Sequence, residues 1–139
     1  MCKNILISVF DDKISLNFLD FLYSNDIGAI VSFAGVVRNV NNNRNVSYIS
    51  YNVFDSLMYS LIKDKCISLI KDDVCTKICI AQYKGVLYTG GINLLIGVGS
   101  KHRKKALLYC NDLVEFIKKE APVWKKEYYS DGTFNWINS

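Results

Sequence analysis

Proline occurs once in this 139-residue chain, at Pro122, histidine once, at His102, and arginine only at positions 38, 44 and 103. A single imidazole leaves too few nitrogen ligands for a metal shell. The five cysteines (Cys2, Cys66, Cys75, Cys79, Cys110) contain no Cys-x-x-Cys pair. Zinc-ribbon and dithiol redox chemistry are therefore not expected, and neither a metal nor a cofactor is predicted. Scattered, odd-numbered cysteines read as buried free thiols in a reducing, cytoplasmic compartment. No apolar run approaches the ~20 residues of a membrane span. The start, MCKNILISVFDDK, lacks the apolar length of a signal peptide.

What remains is the composition of one folded domain over residues 1–139. Hydrophobic residues make up 50% and charged residues 22%, which excludes a disordered chain. Lysine and arginine total 17 against 13 acidic residues, a net charge of +4. That favours anionic partners mildly and does not by itself imply nucleic acid.

Asn4 to Phe10 reads as a first strand, and Ser15 caps a short helix with Leu16, Phe18, Leu19 and Leu22 on its apolar side. Gly28 opens GAIVSFAGVVRNV, a buried strand broken at Gly35 and ending at Arg38. The asparagine-rich run from Asn39 to Asn45 reads as a tolerant, solvated loop. Val46 to Phe54 alternates and is expected to form a hairpin with the strand before it. Asp55 is the expected N-cap of a helix to about Lys71. Strands follow at Val74–Ala81, Val86–Tyr88 and Ile92–Val98. A long helix comes next, with Ala106, Cys110, Leu113, Val114 and Ile117 on one face. The Asp131-Gly132 pair marks a closing hairpin. The order predicts an α+β fold.

Two cationic clusters bracket the long helix. With Ser100 as N-cap, Lys101, His102, Arg103, Lys104 and Lys105 fall on its first turn, where cations oppose the helix dipole at up to ~1 kcal/mol each. Free N–H groups and cationic side chains converging there suit an anion, and a solvated basic face is the plainer alternative. At the other end, Lys118 and Lys119 are favoured by the dipole alone. Lys118 follows Ile117 beside the apolar face, so it is the one expected to be partly buried, with a lowered pKa and a role as base or nucleophile. Arg38, at a strand end, suits phosphate or carboxylate, although such arginines more often form surface ion pairs.

Three ordered blocks carry a resemblance: GAIVSFAGVVRN from Gly28, GVGSKHR from Gly97, and IKKEAPVWKKE from Ile117. Together they resemble the large, catalytic subunit of molybdopterin synthase. The resemblance implies an α/β-hammerhead-like domain with an additional antiparallel β-sheet, forming a homodimer within a heterotetramer. It implies a small ubiquitin-like sulfur-carrier subunit as partner, whose C-terminal Gly-Gly thiocarboxylate enters the large subunit. Two sulfurs then pass to cyclic pyranopterin monophosphate, giving the dithiolene of molybdopterin. Carried over residue by residue, the substrate-binding positions are Val36, Val37, Arg38, His102, Arg103, Lys118, Lys125, Lys126 and Glu127. The resemblance makes Lys118 and Lys125 catalytic, and the anion is expected where Arg38, His102 and Arg103 meet. The chain departs from the family's pattern at Val36, Asn52, Gln82-Tyr83 and Gly91. A small RNA-binding module, suggested by lysine excess and nine tyrosines, and a non-catalytic scaffold for a ubiquitin-like tail are the competing readings.

Overall fold

The apolar runs at residues 77–83 and 92–100 form the two central strands of a sheet covered on both faces. In this computed structural model, which describes residues 2–137, the sheet has the order β1-β5-β7-β2. Its strands are β1 (Ile5–Phe10), β2 (Ala29–Val36), β5 (Lys77–Tyr83) and β7 (Ile92–Ser100). β1 runs parallel to β5, and the other pairs are antiparallel. Two helices cover one face: α1 (Asp55–Ile70) and α2 (Arg103–Glu120). Alternation sends Ile78, Ile80, Leu94, Ile96 and Val98 toward Met58, Ile62, Cys66, Ala106, Cys110, Leu113 and Ile117. The opposite face presents Ala81 and Leu95 to a second core with Val46, Ile49, Tyr51 and Tyr129.

That second core is closed by an antiparallel sheet. It contains β3 (Val40–Asn41), β4 (Arg44–Val53), β6 (Gly85–Tyr88), β8 (Val123–Tyr129) and β9 (Phe134–Ile137). β4 lies between β6 and β8, and β9 pairs with β8. The α+β class therefore holds, and Asp131-Gly132 sits in the β8–β9 turn, with Gly132 at φ +87°.

Several local expectations change. β4 does not pair with β2: it pairs with β3, β6 and β8, while β2 pairs with β7. The asparagine run is no loose loop. Asn41 pairs with Arg44, and Asn42 (φ 50°) and Asn43 (φ 63°) take the left-handed conformation of a two-residue primed turn. Ser15 does cap a helix, accepting from the Asn17 N–H at 3.4 Å, but residues 16–22 wind as a 3₁₀ helix. Asp55 is the first helical residue rather than the cap, and Phe54 precedes it. The strand expected at Val74–Ala81 begins only at Lys77, because Asp73 turns the chain through the amides of Cys75 and Thr76. Cys66, Cys79 and Cys110 are buried free thiols and Cys75 is half-buried; the side chain of Cys2 lies outside the described residues. Burial pushes the Cys66 and Cys79 thiols up to about 12. Among the described residues, no helix is long and apolar enough to cross a membrane.

Candidate functional site

At the turn from β7 into α2, Ser100 does not cap the helix. It ends the strand, 1% exposed, with its hydroxyl 2.9 Å from that of Thr76. His102 occupies the cap position and makes no side-chain cap bond, so the first helical N–H groups receive no side-chain partner from it. Gly28 closes the corner: its N–H donates to the Ser100 carbonyl at 2.9 Å, and a Cβ there would strike the Lys101 carbonyl. The first turn of α2 contains no acid. Lys105 reaches outside the helix for its partner, Asp73, at 3.2 Å. Partial burial pushes the Asp73 carboxyl up, but the Thr76 hydroxyl, the Lys105 ammonium and two backbone amides outweigh it and hold the group below the ordinary range. Lys101, His102, Arg103 and Lys104 are exposed along the rim of an open groove of about 880 Å³.

The other end of α2 holds the lysines. Lys119 is exposed; Lys118 is half-buried, with Nζ 5.8 Å from the Phe33 ring centroid. The helix stops at Glu120, and β8 starts after Pro122. Lys125 on β8 lies directly across from Tyr51 on β4. Both lysines line a cleft of about 30 Å³ with Tyr51, Gln82 and Asn93, a space the size of a water molecule. Burial, then the charge of Lys118, lowers the pKa of Lys125 from 10.5 to about 8. Tyr51 bonds Asn93, and burial pushes its phenol up. Asn93 lies over Gly35, where a Cβ would strike its Oδ1.

Arg38 follows β2 at this same end, since Gly35 pairs with Leu94 and Leu94 also borders the lysine cleft. Its Nη2 donates to Asn41 Oδ1 at 3.1 Å. Beside it, Val36 is exposed, whereas Val37 is a core residue at 2% exposure. The Val37 N–H donates to the Gly91 carbonyl, and its own carbonyl accepts from the Gly90 N–H. Glu127 is likewise turned inward, 2% exposed, accepting from Tyr129 at 2.6 Å and Asn41 at 2.8 Å. Lys126 points to the opposite face of β8 from Lys125, with Nζ 3.9 Å from the ring centroid of Phe134 and 5.4 Å from that of Trp136.

A single chain thus joins Lys118, Lys125 and Arg38 at one end and leaves His102 and Arg103 at the other. Lys118 lies fifteen positions after Arg103 on the helix, a rise of roughly 22 Å. Arg38, His102 and Arg103 do not converge within one copy, because β7 and α2 run antiparallel along the length of the domain. Tyr51, Asn93, Asn41 and Asp73 are site residues that sequence reasoning passed over. The alternation of VSYISYNVF signals that Tyr51 faces inward, but nothing local distinguishes Asn41 from its neighbours. Of the departures, Gln82 enters the lysine cleft, while Val36 and Asn52 are exposed.

The family model described as MoaE protein matches residues 9–120. A molybdopterin synthase catalytic subunit from Synechococcus elongatus is 33% identical over 121 residues, covering 85% of this chain and 72% of the relative. Among solved structures, molybdopterin synthase from Staphylococcus aureus superposes with a TM-score of 0.84 at 27% identity, covering 98% of this chain and 96% of that one. The complex of subunits 1 and 2 of the molybdopterin-converting factor from Helicobacter pylori shares the fold, with a TM-score of 0.77 at 20% identity over 96% and 89% of the chains.

Proposed function

The chain belongs to the molybdopterin synthase catalytic-subunit family, and from that premise we propose that its two clefted lysines carry the sulfur transfer that builds the dithiolene. The substrate is cyclic pyranopterin monophosphate. The sulfur donor is the C-terminal thiocarboxylate of a small ubiquitin-like subunit, bound as an extended tail. The observation that carries this reading is the pairing of Lys118 and Lys125 in one water-sized cleft, with the proton affinity of Lys125 depressed.

The tail's sulfur first bonds a pterin carbon as a C–O bond at that carbon breaks and the oxygen leaves with a proton; water must then attack the tail's carbonyl. A C–O bond forms, the C–S bond breaks, and the tail leaves as a carboxylate while its sulfur stays on the pterin. Lys125, with a pKa of about 8, accepts the proton of that water in its neutral form, whose share grows as the pH approaches 8. The Lys118 ammonium stabilises the oxyanion that develops on the carbonyl. A second tail repeats the exchange at the neighbouring carbon. Arg38 binds the phosphate with its guanidinium fork.

His102 and Arg103 also suit that phosphate, but only from a second copy. A homodimer would place the basic turn of one protomer against the Arg38 and lysine end of its partner, so that each site draws on both chains. With one small subunit per site, the assembly is a heterotetramer acting in the cytoplasm. Glu127, Val37 and Lys126 support the site from behind or from the outer face rather than by direct contact.

The test combines the protein with a thiocarboxylated small subunit and cyclic pyranopterin monophosphate and follows dithiolene formation. Product is expected with the intact chain, and at least about a hundredfold less with Lys118→Ala or Lys125→Ala, the scale of a lost general base or oxyanion donor. No product from the intact chain would overturn the function. Full activity in Lys118→Ala would overturn the lysine assignment alone.

A further inference from the structure

We propose that Asn41 is a positioning residue that sets the guanidinium of Arg38, with buried Glu127 as its anchor. The proposal rests on the reading of Arg38 as a substrate-binding group. Its basis is a continuous chain of hydrogen bonds between two elements that do not pair with each other. Tyr129 Oη donates to Glu127 Oε1 at 2.6 Å, Asn41 Nδ2 donates to the same oxygen at 2.8 Å, and Arg38 Nη2 donates to Asn41 Oδ1 at 3.1 Å.

The amide of Asn41 has one orientation that works. Glu127 only accepts and Arg38 only donates, so turning the amide over would set oxygen against carboxylate and NH₂ against guanidinium. Its backbone is equally constrained, since Asn41 pairs with Arg44 across the Asn42-Asn43 turn. Glu127 is held at 2% exposure by two neutral donors. The strand that anchors it carries Lys125 two residues earlier, on the same face. The relay therefore fixes the distance between Arg38 and Lys125 although the two side chains lie on different elements.

An amide also does something here that an ion pair would not. A carboxylate directly on Arg38 would neutralise it and weaken its hold on an anionic substrate. The neutral carboxamide transmits the rigidity of Glu127 while leaving the full charge and the remaining N–H donors of Arg38 for the ligand. Arg38 is exposed, and an untethered arginine loses much of its rotamer freedom when it binds. Part of that ordering is already in place.

Two variants test this. Asn41→Ala deletes the relay. Asn41→Asp keeps the shape and the turn, but cannot donate to Glu127 and puts a negative charge on Arg38. Both should raise KM for cyclic pyranopterin monophosphate, by about tenfold for Asn41→Ala, with kcat within about twofold, the pattern of lost uniform binding. Adding Asn41→Ala to Arg38→Ala should cost nothing further, because the relay has no other output. A purely structural Asn41 predicts instead equal losses in both backgrounds, and that result, or an unchanged KM in Asn41→Ala, would overturn the proposal. Guanidinium ¹⁵N NMR supplies a readout that needs no turnover. The chain has only three arginines, so the Arg38 signal is assignable by substitution. Its rotation should be slow in the intact protein and fast in Asn41→Ala; an unchanged rate would sink the positioning role even if the enzyme is active. Conversely, an inactive intact protein with a slowed Arg38 would remove the sulfur-transfer reading and leave the relay standing.

Discussion

Tyr51 and Lys125 stand opposite each other on β4 and β8 and line the same water-sized cleft. Lys125 is half-buried there, with Lys118 as a like charge beside it, and both effects disfavour its protonated form. The site's chemistry follows from that opposition.

Turnover should rise as the pH passes through about 8, because only the neutral Lys125 accepts a proton. Lys125→Arg, permanently charged, should be low and flat across the same range. Lys118→Ala removes the like charge and should move the remaining activity's rise to higher pH. A pH–rate series on the three proteins checks all of this.

Stability carries the same signature. While folded and unfolded chains are both protonated, the buried ammonium costs folding free energy. As the pH rises from about 8 toward 10.5 the folded state releases its proton first, and that cost disappears. The urea midpoint of the intact protein should therefore gain across this window relative to Lys125→Met, which has no proton to release.

Tyr51→Ala should let water reach Lys125 and return its pKa toward 10.5, displacing the pH–rate profile upward. Tyr51→Phe keeps the ring and loses only the bond to Asn93. It should leave the profile in place and lower stability by about 1 kcal/mol, measured by chemical denaturation.

If the site is shared between copies, Arg38→Ala and Arg103→Ala should each be weak alone and complement when mixed. Random exchange of protomers in a two-fold dimer leaves one intact site in each hybrid, so about a quarter of the sites recover. Activity after co-refolding measures this, and additive weakness with no recovery would place both residues in one copy's function.

Asn42→Ala and Asn43→Ala each put a Cβ-bearing residue without asparagine's tolerance at a positive φ. Each should cost about 1–2 kcal/mol, whereas Asn43→Gly should be neutral or better, matching the turn's preferred second residue. Thermal denaturation separates the three.

Much of the fold is written locally. The strands expected at Val74–Ala81 and Ile92–Val98 form as Lys77–Tyr83 and Ile92–Ser100, the spacing from Ala106 to Ile117 names the inner face of α2, and Asp131-Gly132 marks its turn. Strand partnership is a different kind of information. Val46 to Phe54 alternates as a strand whichever neighbour it meets, and its actual partners β6 and β8 arrive only at Gly85 and Val123. The asparagine run has the composition of a loop, yet asparagine's ease at positive φ also suits a tight hairpin; composition alone gives no register to choose between them.

The site divides along the same line. The chemical types can be read along the chain: a lone histidine and rare arginine beside a helix start, paired lysines around a helix end, and a family resemblance that names the pterin. Packing sets which of them meet. A rigid helix of 18 residues holds the two basic clusters apart, so His102 and Arg103 belong to one end of the domain and Arg38, Lys118 and Lys125 to the other. Packing also depresses the pKa of Lys125, because burial depends on what lies across the sheet, and its neighbour Tyr51 comes from a strand far away in sequence. Charge, propensity and periodicity are properties of neighbouring residues along the chain. Desolvation and convergence are properties of the packed molecule.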